Sequence, residues 1–368
     1  MSMQSAIERR YDIDWLRVIA IGLLLIYHVA IPFQSWGIMV GFITTKEPLP
    51  SLWLPMTMLN VWRIPLLFFV SGMGVYFAMQ KRNWKQLISE RFVRIFIPFL
   101  AGIFLFGPVH TYLWQKHFNF EESYSPNPGH LWFLGNIFAY VLCFTPLFYF
   151  LVNNERARDF VRKLFSGPWG LLLVAAAFAA EALLLDPRPF ELYAMTWHGF
   201  LLGMIAFVFG FLFVLAGQDF WKGIQRIRWI LLAVAITLFV ARFIDQPQFA
   251  PSYLIAIESV SWVMSVLAFG SKHLNKPSPL LAYLSNAAYP VYIVHMLVLD
   301  AASALLFPLA INGWIMYVLA LLFTLAGCFA VYEICRRINW IRPLLGLKIG
   351  PCFGAGRSQS PIMTKAPQ

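Results

Sequence analysis

Asp14, Arg17 and, ten residues beyond the arginine, His28 place three ionisable side chains in the first long apolar run of this 368-residue chain. Eleven positions at ~100° per residue advance about three turns plus 20°, so Arg17 and His28 share one helix face roughly 16 Å apart. Ionisable groups inside a spanning helix are costly and normally face a protein interior or a wet cavity. A neutral imidazole at that depth can take a proton from a hydroxyl, the work of a general base in acyl transfer. The plain alternative is a buried histidine bonded to a neighbouring carbonyl. For Asp14 and Arg17, spaced i to i+3, it is a pair that snorkels at the helix end.

Further along, Arg63 is followed by apolar residues through Val70, cannot easily reach either surface, and needs an internal partner, either a carboxylate or a polar substrate group. Ser71-Gly72 after it suits close approach of a helix or an extended ligand. Arg91 and Arg94, spaced i to i+3 behind Lys81, Arg82 and Lys85, form a cluster able to clamp the phosphates of a cytosolic donor or to anchor a loop at the membrane surface. His130 and Trp132 open a later apolar run after Pro-Gly, where an aromatic belt is the competing account. Tyr292 lies one turn before His295, beyond Pro290, a kink point. Glu333 closes the last apolar run, and either supports the site or joins helices.

The elements that must hold these residues are membrane helices. The chain is 60% hydrophobic, 17% aromatic and only 12% charged, with a mean hydropathy of +0.68, which excludes an ordinary soluble domain. Runs of about 20 residues, enough for roughly 30 Å of hydrocarbon, fall near 15–36, 53–79, 95–115, 130–151, 168–185, 197–216, 228–244, 252–270, 285–307 and 313–335. The expectation is an all-α polytopic bundle of about ten spans. Residues 1–346 form one membrane-embedded domain, and 347–368, rich in Gly, Pro, Ser and Lys, a disordered cytoplasmic tail. The first run continues past a signal peptide's length without a cleavage site, so it is read as a retained helix. The turn-rich segment 116–129 suits a cover over an external opening. Gly37-x-x-x-Gly41 and Gly199-x-x-x-Gly203 suit close helix contacts.

The net charge of +11 does not mark a nucleic-acid partner. With the N-terminus inside, all but five basic residues fall in cytoplasmic segments. The exceptions are Lys46, Lys116 and Arg188 in outer loops and Arg63 and Arg242 within spans. That bias places both termini in the cytoplasm, and anionic lipid headgroups account for much of the charge. Cys143, Cys328, Cys335 and Cys352 show no C-x-x-C pair, and no zinc, Walker A or dinucleotide motif occurs. Neither a metal nor a bound cofactor is expected. Three cysteines read as packing residues and Cys352 as a tail thiol.

Taken in order, these stretches resemble the acyltransferase-3 family of polytopic membrane proteins, over residues 11–340. Asp14-x-x-Arg17 followed by Tyr27-His28 looks like its first-helix signature. The stretch from Arg63 to Ser71-Gly72 looks like its second-helix segment. Arg91-x-x-Arg94-Ile-x-x-Pro98, His130-Leu-Trp132-Phe133, Ser285 through Tyr292 to His295, and Glu333 follow in the family's order. Within the family the chain looks most like members that decorate periplasmic or surface glucans.

The resemblance implies an enzyme of the bacterial cytoplasmic membrane. Such an enzyme moves an acyl group, acetyl or succinyl, from cytosolic acyl-CoA to a carbohydrate hydroxyl beyond the membrane. On this chain His28 would activate the acceptor hydroxyl. Arg17 and Arg63 would stabilise developing charge, and Arg91, Arg94 and Asp14 would hold the donor. His130, Trp132, Ser71, Tyr292, His295 and Glu333 would serve the acceptor or support the site. The extra C-terminal hydrolase-like domain of some larger family members is not expected here, so acceptor choice is expected to rest on the membrane domain and its outer loops. With no serine or cysteine nucleophile placed beside His28, direct transfer is expected. The competing class is a transporter or flippase of a polar lipid or sugar, which also suits buried Arg and His. A structural membrane protein would leave Arg17 and His28 replaceable.

Overall fold

A computed structural model describes residues 9–244 and 250–348; the expected tail from 349 onward, with Cys352, lies outside the described residues. Among the described residues nine helices are long and apolar enough to cross a membrane: Tyr11–Phe33, Pro50–Met79, Trp84–His117, Gly129–Asn153, Pro168–Leu185, Trp197–Ala216, Ser252–His273, Pro279–Leu306 and Gly313–Cys335. The helix pair Gln218–Arg226 and Arg228–Ile244, bent by 59°, is apolar and long enough only when taken together, and as a tenth candidate it lies between the sixth and eighth spans in order. The expected all-α bundle of about ten spans is the observed one. The first, second, sixth, eighth and ninth spans are mostly buried, whereas the fifth and tenth turn most of their surface outward. Of the buried spans, the first, second and ninth line the site, joined by the third and fourth.

Prolines shape the spans around that centre. The second span breaks at Val61-Trp62 into Trp53–Asn60 and Arg63–Met79. Pro65 explains the break, since its ring excludes the carbonyl four residues earlier, that of Val61. The freed Val61 carbonyl accepts instead from the Tyr193 hydroxyl at 3.0 Å. Burial, reinforced by Glu191, holds the Tyr193 phenol well above its ordinary pKa, so it remains a neutral donor. In the third span, wide π turns at Phe92–Phe96 and Gly102–Phe106 precede or contain the carbonyls displaced by Pro98 and Pro108. The extra residue in each turn lets the helix continue past its proline.

Three expected boundaries move. The third span starts at Trp84, capped by Asn83, so Arg91 and Arg94 lie within a helix rather than in a loop. The ninth begins at Pro279 and runs 28 residues through Pro290. The cytoplasmic segment after the fourth span coils into Glu155–Phe165, a surface helix with Asn154 as its N-cap.

The expected glycine contacts are partly redistributed. Gly37 and Gly41 sit at a 3₁₀ turn of the outer loop, Gly41 with φ +83°, and not on a spanning helix. The closest crossing joins the second and sixth spans. A methyl group on Gly72 would overlap the Phe207 carbonyl, and one on Gly210 would overlap the Phe69 backbone. Gly203 meets the Phe68 ring on the same seam, so one glycine of the Gly199–Gly203 pair does serve close packing.

Buried polar pairs tie further spans. Arg242 donates to both carboxylate oxygens of Glu258, at 2.7 and 2.9 Å, and to the Thr57 carbonyl at 3.0 Å. The His198 Nδ1 lies 2.8 Å from Glu181 Oε1 between the fifth and sixth spans. Cys328 is buried, whereas Cys143 is exposed on its helix and is no core residue.

Candidate active site

His28, near the outer end of the first span, meets His295 of the ninth, with Nδ1 of the first 2.7 Å from Nε2 of the second and the rings stacked within 10°. His295 Nδ1 lies 2.7 Å from the Tyr292 carbonyl, which can only accept, so that nitrogen carries the hydrogen. With both rings neutral, His295 Nε2 is then an acceptor and His28 donates to it through Nδ1. His28 Nε2 is left with a free lone pair, the form a general base requires. His130 joins the same node: its Nε2 donates to the Tyr292 and Ile293 carbonyls, at 3.1 and 3.2 Å, and its own carbonyl accepts from the Tyr292 hydroxyl at 2.7 Å.

His28 and His130 line an outer cavity of about 550 Å³, with His295 held behind His28; its walls include Tyr27, Trp53, Trp132, His110 and the loop residues Glu191 and Tyr193. No serine, threonine or cysteine is among its described lining residues. Arg63 lies behind this wall. Its guanidinium sits 3.8 Å from the centre of the Tyr27 ring, and its Nε and Nη1 find no hydrogen-bond partner. The internal partner expected for Arg63 is thus an aromatic face and not a carboxylate. Tyr27 in turn bonds Asn60 and stands edge-on to His28.

On the other side of the bundle an inner cavity of about 530 Å³ is lined by Arg9, Arg10, Arg17, Lys81, Arg82, Arg91 and Arg94. Asp14 bridges Arg9 at 3.1 Å and Arg17 at 3.5 Å, and Glu90 bridges Arg82 at 3.0 Å and Arg94 at 3.4 Å. Two carboxylates against seven cations leave this chamber strongly positive, as a multiply charged anion would need. Arg91 is half-buried, with its buried Nε unpartnered and its Nη2 on the Gly74 carbonyl at 3.4 Å. Arg94 also donates to the Gly346 carbonyl at 3.3 Å, fastening the Arg342–Leu345 turn under the third span. The two cavities share three lining residues, Leu67, Phe133 and Tyr292, which form the partition between them.

The structure thus divides the expected residues. Arg17, Asp14, Arg91 and Arg94 meet in the inner chamber, while His28, His130 and Trp132 meet at the outer one with His295 behind His28, and Tyr292 stands between. Ser71 lines the inner cavity with its hydroxyl turned back to the Leu67 carbonyl at 2.7 Å, so it sits on the basic side, away from an acceptor. Glu333 stands apart from both cavities, held by Tyr283 at 3.0 Å and Arg336 at 2.8 Å. There it joins helix ends. Segment 116–129 does not close the opening either. It folds against the third span through Tyr124 on the Phe104 carbonyl and Asn127 on Thr111, and the outer wall is completed by residues 189–194.

Sequence reasoning passed over a second pair at the outer cavity. His110 Nδ1 lies 2.5 Å from Asp300 Oδ2, and the ring also bonds the Gly41 backbone, tying the third span, the ninth span and the outer loop. The signal was available, since Asp300 is a lone carboxylate in an apolar span. Trp36, Asn60, Glu191 and Tyr193 carried no comparable signal, because only the fold brings them to the cavity.

The family described as "Acyltransferase domain" matches residues 10–333 of the chain. Glucans biosynthesis protein C of Escherichia coli O157:H7 (strain EC4115 / EHEC) is 24% identical over 93% of this chain and 95% of its own length. The protein of the same name from Escherichia coli O9:H4 (strain HS) is equally similar. No solved structure matches the chain. The chain belongs to the acyltransferase-3 family and is an acyltransferase, an integral membrane protein of the bacterial inner membrane.

Proposed function

We propose that this member of the acyltransferase-3 family moves an acyl group, acetyl or succinyl, from cytosolic acyl-CoA to a hydroxyl of an extracytoplasmic carbohydrate such as a periplasmic or surface glucan. The observation that carries the reading is the pair of unlike cavities, one basic and one lined by histidines, that abut at Leu67, Phe133 and Tyr292. The bias of basic loops assigns the basic chamber to the cytosol. There Arg17, Arg91 and Arg94 bind the phosphates of the donor. Its thioester end reaches the partition, and the carbohydrate enters from the other side.

The chemistry then follows from the tautomer of His28. The acceptor hydroxyl gives its proton to His28 Nε2 as its oxygen attacks the thioester carbonyl. The C–S bond breaks, an ester forms, and the leaving thiolate takes up the proton that His28 received. His295, hydrogen-bonded to Nδ1, holds the ring in place and stabilises the transient imidazolium. Arg63, stacked behind Tyr27, adds positive potential where the carbonyl oxygen gains charge. Direct transfer, without an acyl-enzyme, accords with an outer cavity whose described lining has no serine, threonine or cysteine.

The test compares the acyl content of envelope glucans and other surface carbohydrates in cells with the parent chain, with His28→Ala, and with no copy. Loss of a general base of this kind removes about 10²–10⁴ in rate, so His28→Ala should match cells lacking the protein. Unchanged acylation of every carbohydrate in cells lacking the protein would sink the proposal.

A further inference from the structure

The outer cavity is built with more than its histidines require. Trp36 and Trp53 meet there edge to face, their ring centroids 5.8 Å apart and their planes at 76°, making a right-angled corner of indole on the wall. They are not belt tryptophans turned to lipid. Trp169 and Trp197, which have that character, are 70% and 75% exposed, whereas Trp36 and Trp53 are half-buried against the core and face the cavity. The corner is also braced. Gln34 donates to the Phe33 and Leu49 carbonyls, at 3.2 and 2.9 Å, and so fixes the loop that carries Trp36 beside the start of the second span that carries Trp53.

Polar groups complete the corner. Glu191 of the outer loop and Asn60 of the second span line the same space, and they face it together with His28 and His130. A lipid tail would leave the Glu191 carboxylate facing hydrocarbon, which is costly. A β-linked glucose ring suits both surfaces, since its axial C–H bonds make flat apolar faces and its hydroxyls form a polar rim. Recognition by aromatic walls with a few convergent polar groups is the usual construction of a small-molecule site.

We propose that Trp36, Trp53 and Glu191 form the carbohydrate subsite of this enzyme. A β-glucosyl ring packs into the indole corner, and Glu191 accepts from its hydroxyls, delivering another hydroxyl toward His28. The assignment rests on the outer cavity being the acceptor side.

The test measures equilibrium binding of a soluble β-linked gluco-oligosaccharide to the purified full chain in detergent, without donor. The parent should bind it. Trp36→Ala and Trp53→Ala should each weaken binding by about tenfold, with Trp36→Phe recovering much of the loss. Glu191→Gln should weaken it several-fold, and all variants should retain acyl-CoA binding, which confirms that they fold. Absence of binding by the parent, or equal affinity across the variants, overturns the subsite. The outcome is separable from that of the acyl-transfer reading. If His28→Ala abolishes glucan acylation while the tryptophan variants keep the parent's acceptor KM, the subsite falls and the enzyme reading stands. If the tryptophan variants lose oligosaccharide binding but no carbohydrate is acylated in cells, the subsite stands and the enzyme reading falls.

Discussion

His28 shows how little of a residue's chemistry lies in its identity. The same imidazole is a base, a donor or a packing group according to which nitrogen holds the proton, and here that choice is made by a relay of two bonds of 2.7 Å ending on the Tyr292 carbonyl. The relay predicts a graded result. His295→Ala leaves His28 in place but frees its tautomer and orientation, so kcat should fall by about 10²-fold with the donor KM little changed. Steady-state rates at varied acyl-CoA would check this, and an unchanged kcat would reduce His295 to a packing residue. Arg63 illustrates the converse, since its charge was legible from the sequence and its stacking on Tyr27 was not.

At the level of elements, the site depends on spans held at fixed depth by a few polar ties and glycine seams. Arg242 and Glu258 are 6% and 1% exposed, and together they fasten the seventh and eighth spans to Thr57 of the second. Removing one partner strands a buried charge, whereas removing both leaves apolar contact. Arg242→Met should therefore lower stability by about 3–5 kcal/mol, and Arg242→Met with Glu258→Leu should recover most of the loss. Thermal unfolding in detergent reads both. A double variant no more stable than the single one would count against the pair as a mainly structural tie.

For the molecule as a whole, the essential property is sidedness. Two cavities of similar size, 530 and 550 Å³, lie back to back, and what separates them chemically is seven cations on one side and three histidines and a glutamate on the other. Orientation then decides which substrate meets which chamber. A cysteine replacing Lys116, beyond the outer cavity, should react with a membrane-impermeant maleimide in cells with an intact inner membrane. One replacing Lys81, on the inner cavity, should react only after permeabilisation, each judged against the parent's native cysteines. The opposite pattern would invert the proposed direction of transfer.

Fold class and span number were legible in the amino-acid order because the bilayer enforces them locally: each span must satisfy its own backbone. The spacing of Arg17 and His28 was legible for the same reason, since helix geometry is set within the segment. Even the break at Val61 follows from Pro65 within the same helix. The tertiary structure alone decided that His28 meets His295 across 267 positions, that Asp300 pairs with His110, and that Trp36, Trp53 and Glu191 share one cavity. These are contacts between spans, and the apolar pattern that inserts a helix does not specify which of its faces meets which neighbour. That choice is made by packing, at seams such as Gly72 against Phe207, where only one arrangement lets two backbones touch.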